Sequence, residues 1–265
     1  MADITYALFT KPWPALALPE LATHVRALGF DAVELPVRPG FQVEPEQATR
    51  DLPRAAGVFR AEGLQIISVA ATVSEAMIAA CAEAKVPILR VMEPIHAGES
   101  YPQAESRIRA TYDGLVPLLE RYGVCLGIQN HCGRYLPNAL ALRAILRDYD
   151  PRHIAAVWDA AHEALVGMAG DMALDVIWPH LCMVNLKNGF WKRTSGPEAP
   201  HATWRHYWTS GRHGLADWQV VATELQRRRY QGIVCLTAEY TDTSAADRLI
   251  VEDLAWARAL LEKDV

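Results

Sequence analysis

The chain has 265 residues, of which 51% are hydrophobic and 22% are charged, which is ordinary globular composition. This composition excludes a disordered protein and a small domain stapled by disulfides. The length suits a single α/β barrel, which typically needs roughly 250 residues. The net charge is −5, so the chain has no global electrostatic reason to bind nucleic acid or an anionic membrane.

Two further features concern the cellular compartment. No apolar run is long enough to span a bilayer, and the first residues carry no basic segment of a signal peptide. The cysteines are odd in number and include no CxxC pair, so we expect reduced thiols that pack in the core. They are Cys81, Cys125, Cys132, Cys182 and Cys235. Together these features predict a cytoplasmic protein.

Eight short apolar runs recur along the chain and are rich in Val, Ile and Leu. They cover residues 4–9, 32–37, 65–70, 88–92, 124–128, 154–158, 181–186 and 233–237. Continuous apolar runs of this length are typical of strands buried on both faces of a parallel sheet. Helical patterns lie between them. The first helix is predicted to begin near Pro19 and to end before Gly29.

This alternation predicts one α/β domain over residues 1–265, a (β/α)8 TIM barrel. A doubly wound open sheet would also alternate strands with helices. However, no GxGxxG follows the first strand, so we expect no nucleotide cofactor. No linker or change of composition divides the eight repeats, which favours closure.

Polar side chains follow seven of the eight apolar runs. In a barrel the carboxyl ends of the strands form the mouth, where catalytic residues collect. The side chains are Lys11 and Trp13, Glu34, His96, residues 129–131, residues 159–162, residues 185–188, and Glu239 with Tyr240. Charged groups beside apolar runs need partners, because an unpaired buried charge is costly. We therefore predict a polar site at the barrel mouth.

Six segments carry a resemblance to a known superfamily. They are GFDAVEL at 29–35, QNH at 129–131, WDAAH at 158–162, VNLKN at 184–188, GxxGxxDW at 211–218 and AEY at 238–240. In order and spacing they resemble the xylose isomerase-like superfamily over nearly the whole chain. This superfamily contains sugar phosphate isomerases and epimerases, inosose dehydratases and a DNA-repair endonuclease.

The resemblance implies a site for one divalent cation. The superfamily usually holds it with a Glu, an Asp, a His and a Glu of the final strand. At these four positions the chain has Gln129, Asp159, Asn185 and Glu239, so it departs from the pattern at the first and the third. The usual Asp after Lys187 is also replaced, by Asn188.

The two amides change the chemistry expected of this site. They leave two negative charges where the superfamily has three, and they remove the imidazole. Amide oxygens still coordinate hard cations such as Mn²⁺ or Mg²⁺, whereas Zn²⁺ loses its preferred ligand type. Two alternatives stay open. Either Mn²⁺ or Mg²⁺ is bound by the four residues, or the same residues form a metal-free, hydrogen-bonded site.

The resemblance further implies proton abstraction next to a carbonyl group. Superfamily epimerases use two carboxylates on opposite faces of the reacting carbon, and the amide of Gln129 cannot serve as a base. Glu239 is then the expected base, while His162 and Lys187 act as a second acid or base or polarise the carbonyl. The expected substrate-binding residues are Trp13, Glu34, His96, Asn130, His131, Trp191 and Arg205.

Residues 190–214 are predicted to form a long loop without regular structure. They hold Trp191, Trp204 and Trp208, and four basic side chains against one acidic give a local net charge of +3. Such loops are usually lids. Because tryptophan stacks on sugar rings and Arg or Lys pairs with anions, we expect a lid over a sugar-like or anionic ligand. A contact in a homo-oligomer is the alternative.

The favoured function is an isomerase acting on a small carbohydrate, polyol or keto acid, in carbohydrate metabolism. A lyase that dehydrates such a compound is the second choice, and both are preferred to two-base epimerisation. The alternative is a non-catalytic sugar-binding or partner subunit with a decayed active site, because two expected ligands are replaced. A DNA-repair nuclease is disfavoured by the acidic net charge. The sequence leaves the substrate, the reaction direction and the oligomeric state open.

Overall fold

The computed structural model describes residues 4–262; residues 1–3 and 263–265 of the predicted domain lie outside the described residues. Eight parallel strands with helices between them close into a (β/α)8 barrel, which confirms the predicted fold. The barrel strands are β1 (Thr5–Phe9), β2 (Ala32–Pro36), β3 (Gln65–Ala70), β4 (Ile88–Val91), β5 (Cys125–Gln129), β6 (Ile154–Asp159), β7 (Leu181–Leu186) and β10 (Ile233–Leu236).

Each barrel strand pairs in parallel with the next, and the first and last strands close the ring. On β1, Leu8 lies opposite Val33 of β2 on one side and Leu236 of β10 on the other. All three side chains are fully buried. Strands packed on both faces have no solvent side, which explains why their sequences are apolar without alternation.

The helices form the outer layer. They are α1 (Leu18–Ala27), α2 (Ala48–Ala61), α3 (Glu75–Ala84), α4 (Tyr101–Tyr122), α5 (Ala139–Leu146), α6 (Ala160–Leu165), α7 (Gly170–Ile177), α8 (Trp218–Arg227) and α9 (Ala246–Leu261). As predicted, α1 has Pro19 in its first turn and Gly29 just past its end, at φ 90°. Over residues 4–262, none of the helices combines the length and hydropathy that a membrane span needs.

The apolar core has two parts. The larger lies between the strands and the helices, whereas a small cluster fills the barrel interior with side chains such as Phe9, Ile67 and Met183. Buried polar residues, among them Glu34 and Arg90, lie on the barrel strands beside this inner cluster. The inner cluster thus serves as the apolar support for a charged floor at the barrel mouth.

Residues 190–214 contain a hairpin, so the prediction of a loop without regular structure was wrong. Strands β8 (Asn188–Arg193) and β9 (Trp204–Thr209) pair antiparallel, with Trp191 opposite His206. Both strands mix aromatic with charged residues and are largely exposed or half-buried. A two-stranded ribbon of this kind has no continuous apolar face, and that is the feature by which a strand is predicted from sequence.

Candidate active site

A buried ion pair forms the floor of the barrel mouth. Arg90 of β4 donates from Nε to Oε1 of Glu34 at 2.6 Å and from Nη2 to Oε2 at 3.1 Å. Their side chains are only 4% and 0% exposed. The Ser68 hydroxyl adds a third hydrogen bond to Glu34, at 2.9 Å. Because a buried charge is tolerated only when it is paired and hydrogen-bonded, each ion holds the other in place.

A row of hydrogen bonds continues from this pair. Arg90 donates to the Gln129 side-chain oxygen, and Gln129 Nε2 donates to Asp159 Oδ2 at 2.9 Å. The other Asp159 oxygen accepts the backbone N–H of His162 at 3.0 Å, which caps α6. Asn130 lies behind this row, where its side-chain oxygen accepts the Asp159 N–H at 2.7 Å. The predicted substrate-binding Asn130 therefore holds Asp159 in position.

A second group of charges lies at the end of β10. Glu239 accepts a hydrogen bond from Lys187 Nζ at 2.8 Å and another from Lys11 on its other oxygen. Lys187 also lies 3.7 Å from the centroid of the Trp208 ring on the hairpin. The residue before Glu239 is Ala238, at φ 50°. This left-handed conformation costs a non-glycine residue about 1 kcal/mol, and such strain often occurs at functional sites.

The pKa values of the two carboxyl groups, Asp159 and Glu239, are shifted in opposite directions. Burial raises the pKa of Asp159 to about 6, although the positive charge of Lys187 opposes the effect. Burial would also raise the pKa of Glu239, but Lys187 and Lys11 outweigh it and lower that pKa to about 2. Glu239 is consequently a fixed anion near neutral pH.

These groups surround a small inner cavity of about 170 Å³. Its lining includes Lys11, Arg38, Arg90, Lys187 and Glu239, together with Gln129, Asn185, His131, His162 and Trp208. Asn185 is 1% exposed, and neither polar atom of its side chain has a hydrogen-bond partner among residues 4–262. Buried amides are normally satisfied, so Asn185 presents a free donor and a free acceptor to a bound molecule.

An outer cavity of about 610 Å³ adjoins the inner one and shares Lys11, Trp208 and Glu239 with it. Trp13, Tyr240 and Asp247 also line it. The inner cavity alone is smaller than typical small-molecule sites, which have roughly 300–1,000 Å³, whereas the outer cavity lies within that range. A ligand of ordinary size that enters the inner cavity would therefore extend into the outer one.

Two of the four residues that the resemblance assigns to a divalent cation, Gln129 and Glu239, already have cationic partners. Arg90 donates to Gln129, and two ammonium groups occupy the two oxygens of Glu239. Asp159 accepts hydrogen bonds on both oxygens. A dication among these groups would face like charge within a few ångströms, and at such distances the repulsion amounts to several kcal/mol. The residues present do not fit a divalent cation held by these four side chains.

Three residues beside the inner cavity, His131, Cys132 and His162, could hold a metal of another kind. One ligating atom of each lies within 4.8 Å of the others. Burial lowers the pKa of His131 to about 4 and that of His162 well below its usual range, so both rings are neutral. Burial also raises the pKa of the Cys132 thiol, to about 11. The sequence had suggested only packing thiols.

Asn188 has a structural task at the base of the hairpin. Its Nδ2 donates to the carbonyls of Gly211 and Ala216, at 2.7 and 2.8 Å. Its Oδ1 accepts the N–H groups of Gly189 and Ala216, both at 2.9 Å. An aspartate has no donor for the two carbonyls. This explains why an amide suits the position where the resemblance expects Asp.

Of the predicted site residues, Glu34, Asn130 and Asp159 are buried and line neither cavity. Three others are exposed and also line neither cavity. His96 is exposed in the loop after β4, and Arg205 is exposed on β9. Trp191 is 41% exposed and donates from Nε1 to the carbonyl of Leu165 at 2.9 Å. The predicted ligand-binding roles of these three residues stay predictions.

Sequence reasoning missed Arg90, Arg38 and Ser68. Arg90 carried a usable signal, because a single arginine within an apolar strand must find a buried anion. Arg38 follows β2, and Ser68 lies inside β3, where a serine attracts no attention. The cationic character of the mouth was therefore underestimated.

Comparisons with known proteins agree with this architecture. The family model described as "Xylose isomerase-like TIM barrel" matches residues 22–260. A comparison with curated protein sequences finds no significant match. Similar solved structures include an L-ribulose 3-epimerase (TM-score 0.75, 14% identity, 99% of this chain and 95% of that chain). They also include the 3-keto-D-glucoside 4-epimerase YcjR from E. coli (0.70, 14%, 98% and 100%). A third is the probable 3-DHS dehydratase AsbF from Bacillus anthracis (0.71, 14%, 95% and 97%).

Proposed function

Because this chain belongs to the xylose isomerase-like TIM barrel family, we propose that it is an isomerase of the sugar isomerase/epimerase type. The substrate is the carbonyl form of a small carbohydrate, a polyol derivative or a keto acid. An elimination that dehydrates the substrate begins with the same proton abstraction and is the second choice. The observation that carries the proposal is the Glu239 carboxylate, which borders the inner cavity between two ammonium groups.

The proposed first step moves one proton and one negative charge. Glu239 takes the proton from the carbon next to the carbonyl, and the electron pair of that C–H bond forms the enediolate. The negative charge thereby passes from the carboxylate to the substrate oxygen. Lys187 and Lys11, released from Glu239, are the donors that stabilise this oxygen. Return of the proton to the former carbonyl carbon, with transfer of the hydroxyl proton to the former carbonyl oxygen, completes an isomerisation.

The low pKa of Glu239 applies to the site without substrate, where the two lysines hold it at about 2. A substrate carbonyl that accepts the hydrogen bond of Lys187 takes one of these donors away, which strengthens the carboxylate as a base. Substrate binding and base activation are thus coupled through the same ammonium group. His162 and His131, both neutral, line the cavity as further groups for proton transfer.

Substrate recognition would use the free amide of Asn185 and the cations of the mouth. Asn185 can bind a hydroxyl group through both its donor and its acceptor. Arg38 and Arg90 add positive charge to the wall, which favours a substrate with a carboxylate, a phosphate or a developing enediolate. The outer cavity offers the Trp13 and Trp208 rings to a larger portion of the substrate.

In this proposal the side chains provide the positive charge that a divalent cation provides in the superfamily pattern. Arg90 is fixed by its pairing with Glu34, and Lys187 by Glu239 and Trp208. A cation that is already in position needs no reorganisation when charge develops on the substrate. We therefore expect activity without added Mn²⁺ or Mg²⁺.

Solvent-hydrogen exchange tests the function. The protein is incubated in D₂O with ketoses, aldoses, keto glycosides and cyclic keto acids, and deuterium at the carbon next to the carbonyl is followed by NMR. We expect exchange with at least one compound class. Glu239→Gln should slow it by about 100-fold or more, because general-base catalysis typically contributes that much.

Glu120→Gln is the matched control, since it makes the same change from carboxylate to amide on the exposed face of α4, outside both cavities. It should leave the exchange rate within about threefold of wild type. Equal exchange by wild type and Glu239→Gln would contradict the assigned base. Ligand-dependent thermal stabilisation without any exchange would favour the alternative, a sugar-binding or partner subunit.

A further inference from the structure

The thiol–imidazole group consists of Cys132, His131, His162 and His206, which come from three separate parts of the chain. Cys132 Sγ lies 3.2 Å from His162 Nδ1 and 3.4 Å from His206 Nε2. Zinc binds sulfur at about 2.3 Å and imidazole nitrogen at about 2.0 Å, so tetrahedral ligands of the two kinds lie about 3.5 Å apart. The two measured distances are close to that spacing.

The hydrogen atoms of the rings are placed favourably for a metal. His131 Nδ1 lies 2.8 Å from the carbonyl oxygen of Cys132, which can only accept, so Nδ1 carries the hydrogen. The lone pair of the neutral ring is therefore on Nε2. In His162 the Cys132 N–H approaches Nδ1 at 3.4 Å, which places the lone pair on that atom. A ring N–H bound to a backbone carbonyl is the usual arrangement behind metal-ligating histidines.

The thiol–imidazole group differs chemically from the four residues that the resemblance assigns to a divalent cation. The donors of the thiol–imidazole group are neutral, and Cys132 Sγ contacts the imidazoles of His162 and His206. Only the thiol must lose a proton when a metal binds, since the rings of His131 and His162 are already neutral. Thiolate and imidazole together favour Zn²⁺ over Mg²⁺ or Mn²⁺.

We propose that Cys132, His131 and His162 form a Zn²⁺ site, which His206 completes by moving from its place 3.4 Å from the thiol to become the fourth ligand. The site is separate from the residues assigned to the family's cation. Bound zinc would join the loop after β5 to α6 and to strand β9 of the hairpin. It would also engage His131 and His162, which both line the inner cavity. Zinc at this site consequently fastens the hairpin over the mouth and removes both imidazoles from proton transfer. The proposal can be tested apart from the isomerase proposal, because its test measures metal binding alone.

Cobalt titration tests the site directly. Metal-free protein without a histidine tag is titrated with Co²⁺, and the thiolate-to-cobalt charge-transfer absorption is recorded, followed by displacement with Zn²⁺. We expect one equivalent of Co²⁺ with a thiolate band and tetrahedral visible absorption. Cys132→Ser should abolish the band and weaken Zn²⁺ binding by about tenfold or more.

Cys125→Ser is the matched control, because Cys125 is a half-buried thiol outside the group. It should bind Co²⁺ and Zn²⁺ as the wild type does. His206→Gln changes a half-buried residue of the hairpin and should also weaken binding by about tenfold, while circular dichroism stays that of the wild type. A wild-type protein without a thiolate band, or equal Zn²⁺ affinity in Cys132→Ser, would overturn the proposal.

Discussion

The charged floor of the mouth and the hairpin above it hold polar side chains near the same cavity in opposite ways. On the floor, Arg90 and Glu34 are buried and paired through two hydrogen bonds. On the hairpin, Trp204 is 54% exposed and residues 206–209 are half-buried. The side chains of the floor are therefore held in position by electrostatic interactions between buried groups, so each residue depends on its partner. The hairpin depends instead on a few contacts at its base, which leaves its tip free to vary.

The largest expected effect tests the dependence within the floor. Arg90→Met leaves Glu34 buried without its cation and should lower the free energy of unfolding by about 3–5 kcal/mol. The double variant Arg90→Met/Glu34→Leu removes both charges and should recover most of that loss. Urea denaturation of the three proteins measures the difference. If the single and double variants are equally unstable, the pair does not act as one unit.

The hairpin base provides the next test. A Cβ atom added at Gly214 would lie 2.0 Å from Asn188 Oδ1 and 2.5 Å from the Gly189 nitrogen. Gly214→Ala should therefore destabilise the fold by about 1–3 kcal/mol, the usual cost of overpacking. Gly196→Ala, near the hairpin tip, meets no atom within 4 Å and serves as the control. Equal thermal unfolding temperatures for the two variants would mean that the base is not tightly packed.

A smaller effect depends on pH and concerns Asp253, which connects α9 to the hairpin base. Its oxygens accept the Gly211 N–H at 2.9 Å and the Tyr240 hydroxyl at 2.8 Å. Burial raises the pKa of Asp253 from 3.8 to about 6, so the folded state favours the protonated form. The stabilisation from this group is complete below about pH 4 and is lost as the pH rises through 6.

Asp253→Asn removes this titration. Between pH 5 and pH 7 we expect the unfolding free energy of the wild type to fall by about 1 kcal/mol relative to the variant. Chemical denaturation at several pH values gives the difference. A difference between the two proteins that does not change over this range would show that Asp253 has an ordinary pKa.

The smallest effect is expected at the hairpin tip. Trp204→Ala removes an exposed ring and should change the unfolding free energy by no more than about 0.5 kcal/mol. Trp191→Ala also removes the hydrogen bond to Leu165 and should cost about 1 kcal/mol. Thermal unfolding of the two variants side by side measures this gradient along the hairpin. A larger loss for Trp204→Ala would mean that the tip is held by more than its own strand pairing.

The difference between floor and hairpin also explains what could be predicted from the sequence. The barrel strands are continuous apolar runs, and their observed ends lie within one residue of the predicted ones. The hairpin escaped prediction because residues such as Lys192 and Arg205 interrupt its aromatic positions. The polar positions at the strand ends indicated a site, since a barrel brings those ends together whatever the details of packing.

The partners of each side chain could not be predicted, because they depend on distances across the barrel. Arg90 and Glu34 are 56 residues apart, and Lys11 and Glu239 are 228 apart. The encounter of Cys132 with His206 similarly depends on how the hairpin folds over the loop after β5. Sequence patterns identify which residues end a strand. Tertiary packing decides which donor or cation each carboxylate then contacts.

At Glu239, we propose, side-chain cations take the place of a divalent cation. The decisive measurement is the deuterium exchange rate of the responsive substrate with chelator-treated protein, before and after addition of Mn²⁺ or Mg²⁺. We predict the same rate in both conditions, together with its loss in Glu239→Gln. Exchange that appears only after the metal is added would contradict the claim.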